Sequence, residues 1–78
     1  MNITQSIQEA ITIEKVISFE AKDGHVIHIK PEDAQDLVAI HDNMNQENQI
    51  KMRSLLEHSE EQFNKILLFC QRQLNGGK

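Results

Sequence analysis

The 78-residue chain contains no Trp, no Tyr and only three Phe, and its formal charge at pH 7 is −4. Nucleic-acid-binding proteins usually present a basic face, and those that bind single strands add aromatic side chains on which bases stack. The chain is poor in both features. Its composition therefore argues against nucleic acid as a partner.

Cysteine is nearly absent as well. The single Cys70 cannot form an intrachain disulfide, which fits a reducing compartment. The N-terminus has no basic segment followed by an apolar one, and the longest apolar run, Ile66 to Cys70, is far shorter than the about 20 residues of a membrane-spanning helix. We therefore expect a cytoplasmic protein that does not enter a membrane.

Catalytic, metal-binding and nucleotide-binding patterns are missing too. His25 and His28 form the one suggestive pair, but residues three apart on a strand face opposite sides. No C-x-x-C or H-E-x-x-H spacing supplies further zinc ligands. Cys70 falls on the apolar face of a helix, where a small buried side chain is the simplest interpretation. The sequence predicts no enzyme activity, no cofactor and no metal.

What the sequence does contain begins with a β-hairpin signal over residues 13–30. β-branched and aromatic residues alternate with polar ones on both sides of Asp23-Gly24. A two-residue loop would mix apolar and polar side chains on each face, so we predict a three-residue loop, 22–24, with Gly24 in the left-handed conformation. One face then carries Ile17, Phe19, Ile27 and Ile29, and the other carries Ser18, Glu20, Val26 and His28.

The segment before the hairpin fits two structures. Asn2 and Gln5 can form a capping box, and several apolar residues between Ile3 and Ile11 share one helical face. The isoleucines from Ile11 to Ile17 also continue the alternation of a strand. We predict a short helix, with an extended segment as the alternative.

Three helical segments are predicted after the hairpin, over residues 32–43, 46–58 and 60–75. Pro31 and the acids that follow suit a first helical turn. A capping box that begins at Ser59 starts the last helix, and Asn75-Gly76-Gly77 is a typical helix end. The fold class is therefore α+β, with an N-terminal hairpin followed by two or three helices.

The boundary between the first two of these helices contains neither Gly nor Pro. The apolar stripes on its two sides do not continue through it, and an unbroken helix over residues 32–75 would measure roughly 66 Å. We predict a turn at residues 43–45, because Asn45 can cap the following helix. The alternative is one long coiled-coil helix in which Asn45 and Asn48 form polar layers.

The last helix is apolar around most of its circumference. Leu68 and Phe69 point away from the stripe that would face the hairpin. A chain of this length buries only about 60–65% of its unfolded surface, so contact with a second copy is the favoured explanation. The alternative is that neighbouring helices of the same chain cover both sides. The predicted interface of the homodimer consists of Phe63, Ile66, Leu67, Leu68, Phe69 and Leu74.

These observations favour a non-enzymatic interaction or regulatory protein that acts through protein–protein contacts as a homodimer. One alternative is a nucleic-acid-binding accessory, in which residues 32–43 and 46–58 form a helix-turn-helix-like pair that presents Asn48, Gln49, Lys51 and Arg53. Another is an inhibitor that presents an acidic surface to a basic protein. That acidic surface would consist of Glu32, Asp33, Asp36, Asp42 and Glu47.

Overall fold

The computed structural model describes residues 2–75 and confirms the α+β class. An N-terminal helix precedes a two-stranded antiparallel hairpin, and three helices follow it. Gly76 and Gly77, expected to end the last helix, lie outside the described residues. The elements are α1 (Ile3–Ile13), β1 (Ile17–Glu20), β2 (Val26–Ile29), α2 (Pro31–His41), α3 (Gln46–His58) and α4 (Glu60–Asn75).

Helix α1 begins with the predicted capping box. The Asn2 side chain accepts a hydrogen bond of 2.8 Å from the Gln5 backbone N–H, and the Gln5 side chain accepts one of 3.0 Å from the Asn2 N–H. The helix continues to Ile13, and Glu14 follows in the left-handed conformation with φ 56°. The predicted short helix is therefore confirmed, and the extended alternative is wrong.

The hairpin has the predicted register, but it begins later than the predicted residue 13, because α1 extends to Ile13 and the first strand starts at Ile17. Ile17 lies opposite Ile29, and Phe19 lies opposite Ile27. The three-residue loop closes with a hydrogen bond of 2.8 Å from the Ala21 N–H to the His25 carbonyl, and Gly24 has φ +92°. The apolar face is buried or half-buried, and the hairpin contacts α1 and α4. A two-stranded sheet is marginal alone, so these helices stabilise it.

The hairpin loop also closes the end of α3, a contact that the sequence did not reveal. The backbone N–H groups of Lys22 and Asp23 donate to the carbonyls of Glu57 and His58, at 2.9 and 3.2 Å. The last carbonyls of a helix have no partner within the helix, so the loop supplies the missing donors. The Glu57 carboxylate in turn accepts a bond of 3.3 Å from the Ile3 N–H at the start of α1.

The chain turns between α2 and α3, as predicted. Helix α2 ends at His41, and the Asn45 side chain caps α3 by accepting a hydrogen bond of 2.9 Å from the Asn48 N–H. The radius of gyration is 11.7 Å, which is the value for a compact chain of this length. The coiled-coil alternative is therefore wrong.

A second break separates α3 from α4 at Ser59. The Ser59 hydroxyl accepts a hydrogen bond of 3.1 Å from the Gln62 N–H, and Ser59 is buried.

We expect Ser59→Ala to lower the free energy of unfolding by about 0.5–2 kcal/mol, the usual loss for a removed N-cap. Urea denaturation measures the change. Ser54→Ala is the matched control, because Ser54 is exposed within α3 and Ala favours helix; equal losses in both variants would contradict this role of Ser59.

The core lies between the apolar face of the hairpin and the four helices. Phe63 of α4 is its largest fully buried side chain, and Ala10 of α1 and Ala34 of α2 are completely buried. No helix within residues 2–75 is both long and apolar enough to cross a bilayer. The buried apolar residues are Ile3, Ile7, Ala10, Ala21, Ile27, Ile29, Ala34, Leu37, Met52, Leu56, Phe63 and Cys70.

Candidate interaction surfaces

An apolar groove lies between α3 and α4. Leu55 of α3 and Phe69 of α4 are 43% and 49% exposed on its two sides, although both are large apolar residues. The groove encloses about 210 Å³, and most of the side chains that line it are apolar. It therefore suits contact with apolar side chains of another protein. We call it the α3–α4 groove, and its lining residues are Met44, Asn48, Lys51, Met52, Leu55, Ile66 and Phe69.

Helical geometry explains why apolar side chains remain at the surface here. Successive residues of a helix are rotated by about 100°. Met52 and Leu56 turn into the core, so Leu55 lies at the edge of that buried face. Phe69 is placed similarly on α4, beside the buried Cys70 and on the side that faces α3. The groove lies where the border of the buried face of α3 meets the border of the buried face of α4.

The structure distributes the predicted interface residues between the core and the surface. Phe63 is only 1% exposed, so it belongs to the core of its own chain and is not available to a partner. Ile66 and Leu67 are half-buried and pack against the core. Leu68, Phe69 and Leu74 are 50%, 49% and 42% exposed.

Within that set, Ile66 and Phe69 come together in the α3–α4 groove. Leu68 is outside it, because consecutive helical residues point about 100° apart. Met44 and Leu55, which were not among the predicted interface residues, complete the groove from the other side. The signal for Leu55 was present, since it is apolar and lies off the stripe of Met52 and Leu56.

The predicted acidic surface is divided among separate places. Asp33 and Asp36 face α4, where the Gln71 side-chain amide donates to both at 3.2 and 3.4 Å. Burial raises the pKa of Asp33 above its ordinary value. Glu32 is exposed elsewhere on α2. The Asp42 carboxylate is hydrogen-bonded to the His41 ring, and the Glu47 carboxylate lies 3.4 Å from the Lys51 ammonium.

The structure does not bring together the four residues of the helix-turn-helix alternative, which are Asn48, Gln49, Lys51 and Arg53. The Gln49 side chain donates to the His41 carbonyl at 2.9 Å, and Arg53 donates to the His41 ring at 3.2 Å, so both turn toward α2. Asn48 and Lys51 line the α3–α4 groove instead. The helix therefore does not present them on one face, as a recognition helix in a DNA groove would.

The histidines of the hairpin lie in different surroundings. His25 bonds the Asp23 carboxylate at 3.0 Å in the loop, and this contact raises the pKa of His25 and lowers that of Asp23. His28 lies on the outer face beside the Ser18 hydroxyl, at 3.3 Å. Within residues 2–75, no group of three or more His, Cys, Asp or Glu residues could hold a metal ion.

Cys70 is fully buried in α4, and burial raises the pKa of its thiol. The thiolate is the reactive form, so both access and charge oppose reaction at neutral pH. We expect a disulfide reagent to modify the folded protein at a small fraction of the rate seen in urea, as followed by absorbance. Equal rates in the folded and unfolded protein would contradict this placement.

Comparisons of this chain with protein-family models, with curated proteins and with solved structures found no match.

Proposed function

We propose that this chain is a non-enzymatic interaction protein that forms a homodimer through the α3–α4 groove. The observation that carries the proposal is the exposure of Leu55 and Phe69 on opposite sides of one apolar depression. The other large exposed apolar residues of α1, the hairpin and α3 do not line this groove, and scattered residues of that kind are normal on soluble proteins. The groove instead brings apolar residues of two helices together at one place on the surface.

The proposed contact has two-fold symmetry. Such a contact uses the same patch on both copies, so the patch must complement itself. Phe69 and Leu55 both line the depression, and in the proposed contact the Phe69 ring of each copy packs against Leu55 of the other across a two-fold axis. The rim carries charges of both signs, since Lys51 lines the groove and is bonded to Glu47. Opposite charges can therefore meet across the axis.

The size of the protein is compatible with this assembly. A stable interface buries about 800 Å² on each partner. The surface of the described residues measures 5184 Å², so such a contact would cover the groove and the adjoining outer sides of α3 and α4. A small domain with a thin core gains stability from burial of this kind.

Sedimentation equilibrium tests the proposal. From low micromolar to submillimolar concentration, the mean mass should rise toward twice the protomer mass of 9.0 kDa. A mass of one protomer throughout that range would overturn it. Pull-down from cell lysate tests the alternative that the chain acts by binding a different protein through the acids of α2. The proposed dimer does not require these acids, so Asp36→Lys should leave self-association unchanged.

A further inference from the structure

A second concave site lies between α1, α2 and α3. Helices α2 and α3 diverge from the turn at residues 42–45, and α1 packs across the opening between them. The cleft encloses about 110 Å³. A dry cavity of about 150 Å³ holds a benzene molecule, so this cleft accommodates a branched aliphatic group. We call it the α1–α2–α3 cleft, and its apolar floor is formed by Ile7, Leu37, Met52 and Leu56.

Three polar side chains lie in a row at the rim of this cleft. Arg53 Nη1 donates to His41 Nε2 at 3.2 Å, and His41 Nδ1 lies 3.2 Å from Asp42 Oδ1. A guanidinium can only donate and a carboxylate can only accept, so the bridging imidazole carries its proton on Nδ1. The ring therefore holds a positive group and a negative group on its opposite sides.

Both charged groups retain capacity for a ligand. Among the described residues, no carboxylate lies within ion-pair distance of the half-buried Arg53. Its planar guanidinium is suited to two parallel hydrogen bonds to a carboxylate. The Asp42 side chain is 68% exposed and uses Oδ1 for His41. Its second oxygen is available for an ammonium group.

We propose that the α1–α2–α3 cleft binds a free aliphatic α-amino acid such as leucine. The leucine side chain lies on the apolar floor. The leucine carboxylate accepts hydrogen bonds from Arg53, and the leucine ammonium donates one to Asp42. The two protein charges are separated by one imidazole ring and two hydrogen bonds of 3.2 Å. The carboxylate and ammonium of an amino acid are attached to one carbon, and with a hydrogen bond at each end they span a similar distance. A peptide C-terminus and a simple carboxylic acid lack the ammonium, so they leave the second oxygen of the Asp42 carboxylate without a partner.

Titration of the ¹⁵N-labelled protein with L-leucine tests this assignment. We expect saturable shifts of backbone amides around the cleft at millimolar leucine. Leucine amide, 4-methylpentanoate and an acetylated peptide that ends in leucine should bind at least about tenfold more weakly, because each lacks one charged hydrogen bond. No saturable shift with leucine would overturn the proposal. Equal or tighter binding of the carboxylic acid or the peptide would overturn it too.

Two variants separate the roles of the charges. Arg53→Gln should weaken leucine binding at least about tenfold, and Arg72→Gln is the matched control because Arg72 is exposed on α4. Asp42→Asn should weaken leucine binding similarly but leave the weaker binding of 4-methylpentanoate unchanged. A merely structural change would weaken both ligands alike, and that result would overturn the proposal. The Asp42→Asn variant provides the decisive comparison if Arg53→Gln does not fold.

The two proposals fail independently. Binding in the cleft is read from amides around α1 and α2, whereas self-association is read from the mass of the protein. Only Met52 lines both the cleft and the α3–α4 groove. Leucine binding by a protein that remains monomeric would support the cleft proposal and overturn the dimer proposal.

Discussion

Phe63→Ala is expected to leave the protein largely unfolded at 25 °C. Phe63 is 1% exposed and is the largest fully buried side chain of the described chain. Truncation of a buried Phe to Ala costs about 3–5 kcal/mol, through lost burial and the cavity that remains. A domain of this size rarely has more than about 3–5 kcal/mol of stability from its core. The truncation therefore removes most or all of the stability, and far-UV circular dichroism should show loss of helix.

Phe69→Ala is the matched control for this variant, because it removes the same side chain from the same helix. Phe69 is 49% exposed, so we expect a much smaller loss under conditions where the protein is monomeric. A cooperative melt of Phe63→Ala near the wild-type temperature would contradict the position of Phe63 in the core. An equal loss of stability in both variants would also contradict it.

Phe69→Glu is expected to abolish self-association while the protomer stays folded. In the proposed dimer, a two-fold axis places this side chain against Leu55 of the other copy, so the substitution introduces two carboxylates into an apolar contact. An unpaired buried charge costs several kcal/mol, and each 1.4 kcal/mol weakens binding tenfold. We therefore expect a loss of at least about 100-fold in affinity, measured by sedimentation velocity at submillimolar concentration.

Ile50→Glu provides the control for that experiment. Ile50 is 53% exposed, comparable to Phe69, and lies roughly 200° around α3 from the buried Met52. It is outside the α3–α4 groove. The added charge is the same in both variants, so net charge alone cannot explain a difference. Dissociation by Ile50→Glu and not by Phe69→Glu would move the interface to another surface.

The elements that could be predicted from sequence depend on local chemistry. The register of the hairpin follows from the alternation of Ile17, Phe19, Ile27 and Ile29, since a shift of one residue reverses every side chain. The turn before α3 follows from the capping ability of Asn45. Such signals act within a few residues, so one sequence is sufficient to read them.

Contacts between distant segments could not be predicted in the same way. The bonds from the hairpin loop to Glu57 and His58, and the row formed by His41, Asp42 and Arg53, depend on how complete elements pack. Phe63 illustrates the same limit. The sequence places it on an apolar face of α4, but only packing decides whether its own chain or a second copy covers that face.

The acidic residues of α2 and its surroundings show why composition is a weak guide to a surface. They are close in sequence and free of intervening Lys or Arg. In the fold, Asp33 and Asp36 turn toward Gln71, while Asp42 turns toward His41. Helical rotation thus separates charges that appear continuous in the sequence, whereas the apolar groove combines residues from two helices.

Isotope-filtered NMR on a mixture of labelled and unlabelled copies tests the central claim most directly. This measurement detects contacts only between protons of different copies. The account predicts intermolecular contacts from the ring of Phe69 to methyl groups of Leu55 and Met44. The absence of such contacts at submillimolar concentration, or their appearance only at residues outside the α3–α4 groove, would contradict it.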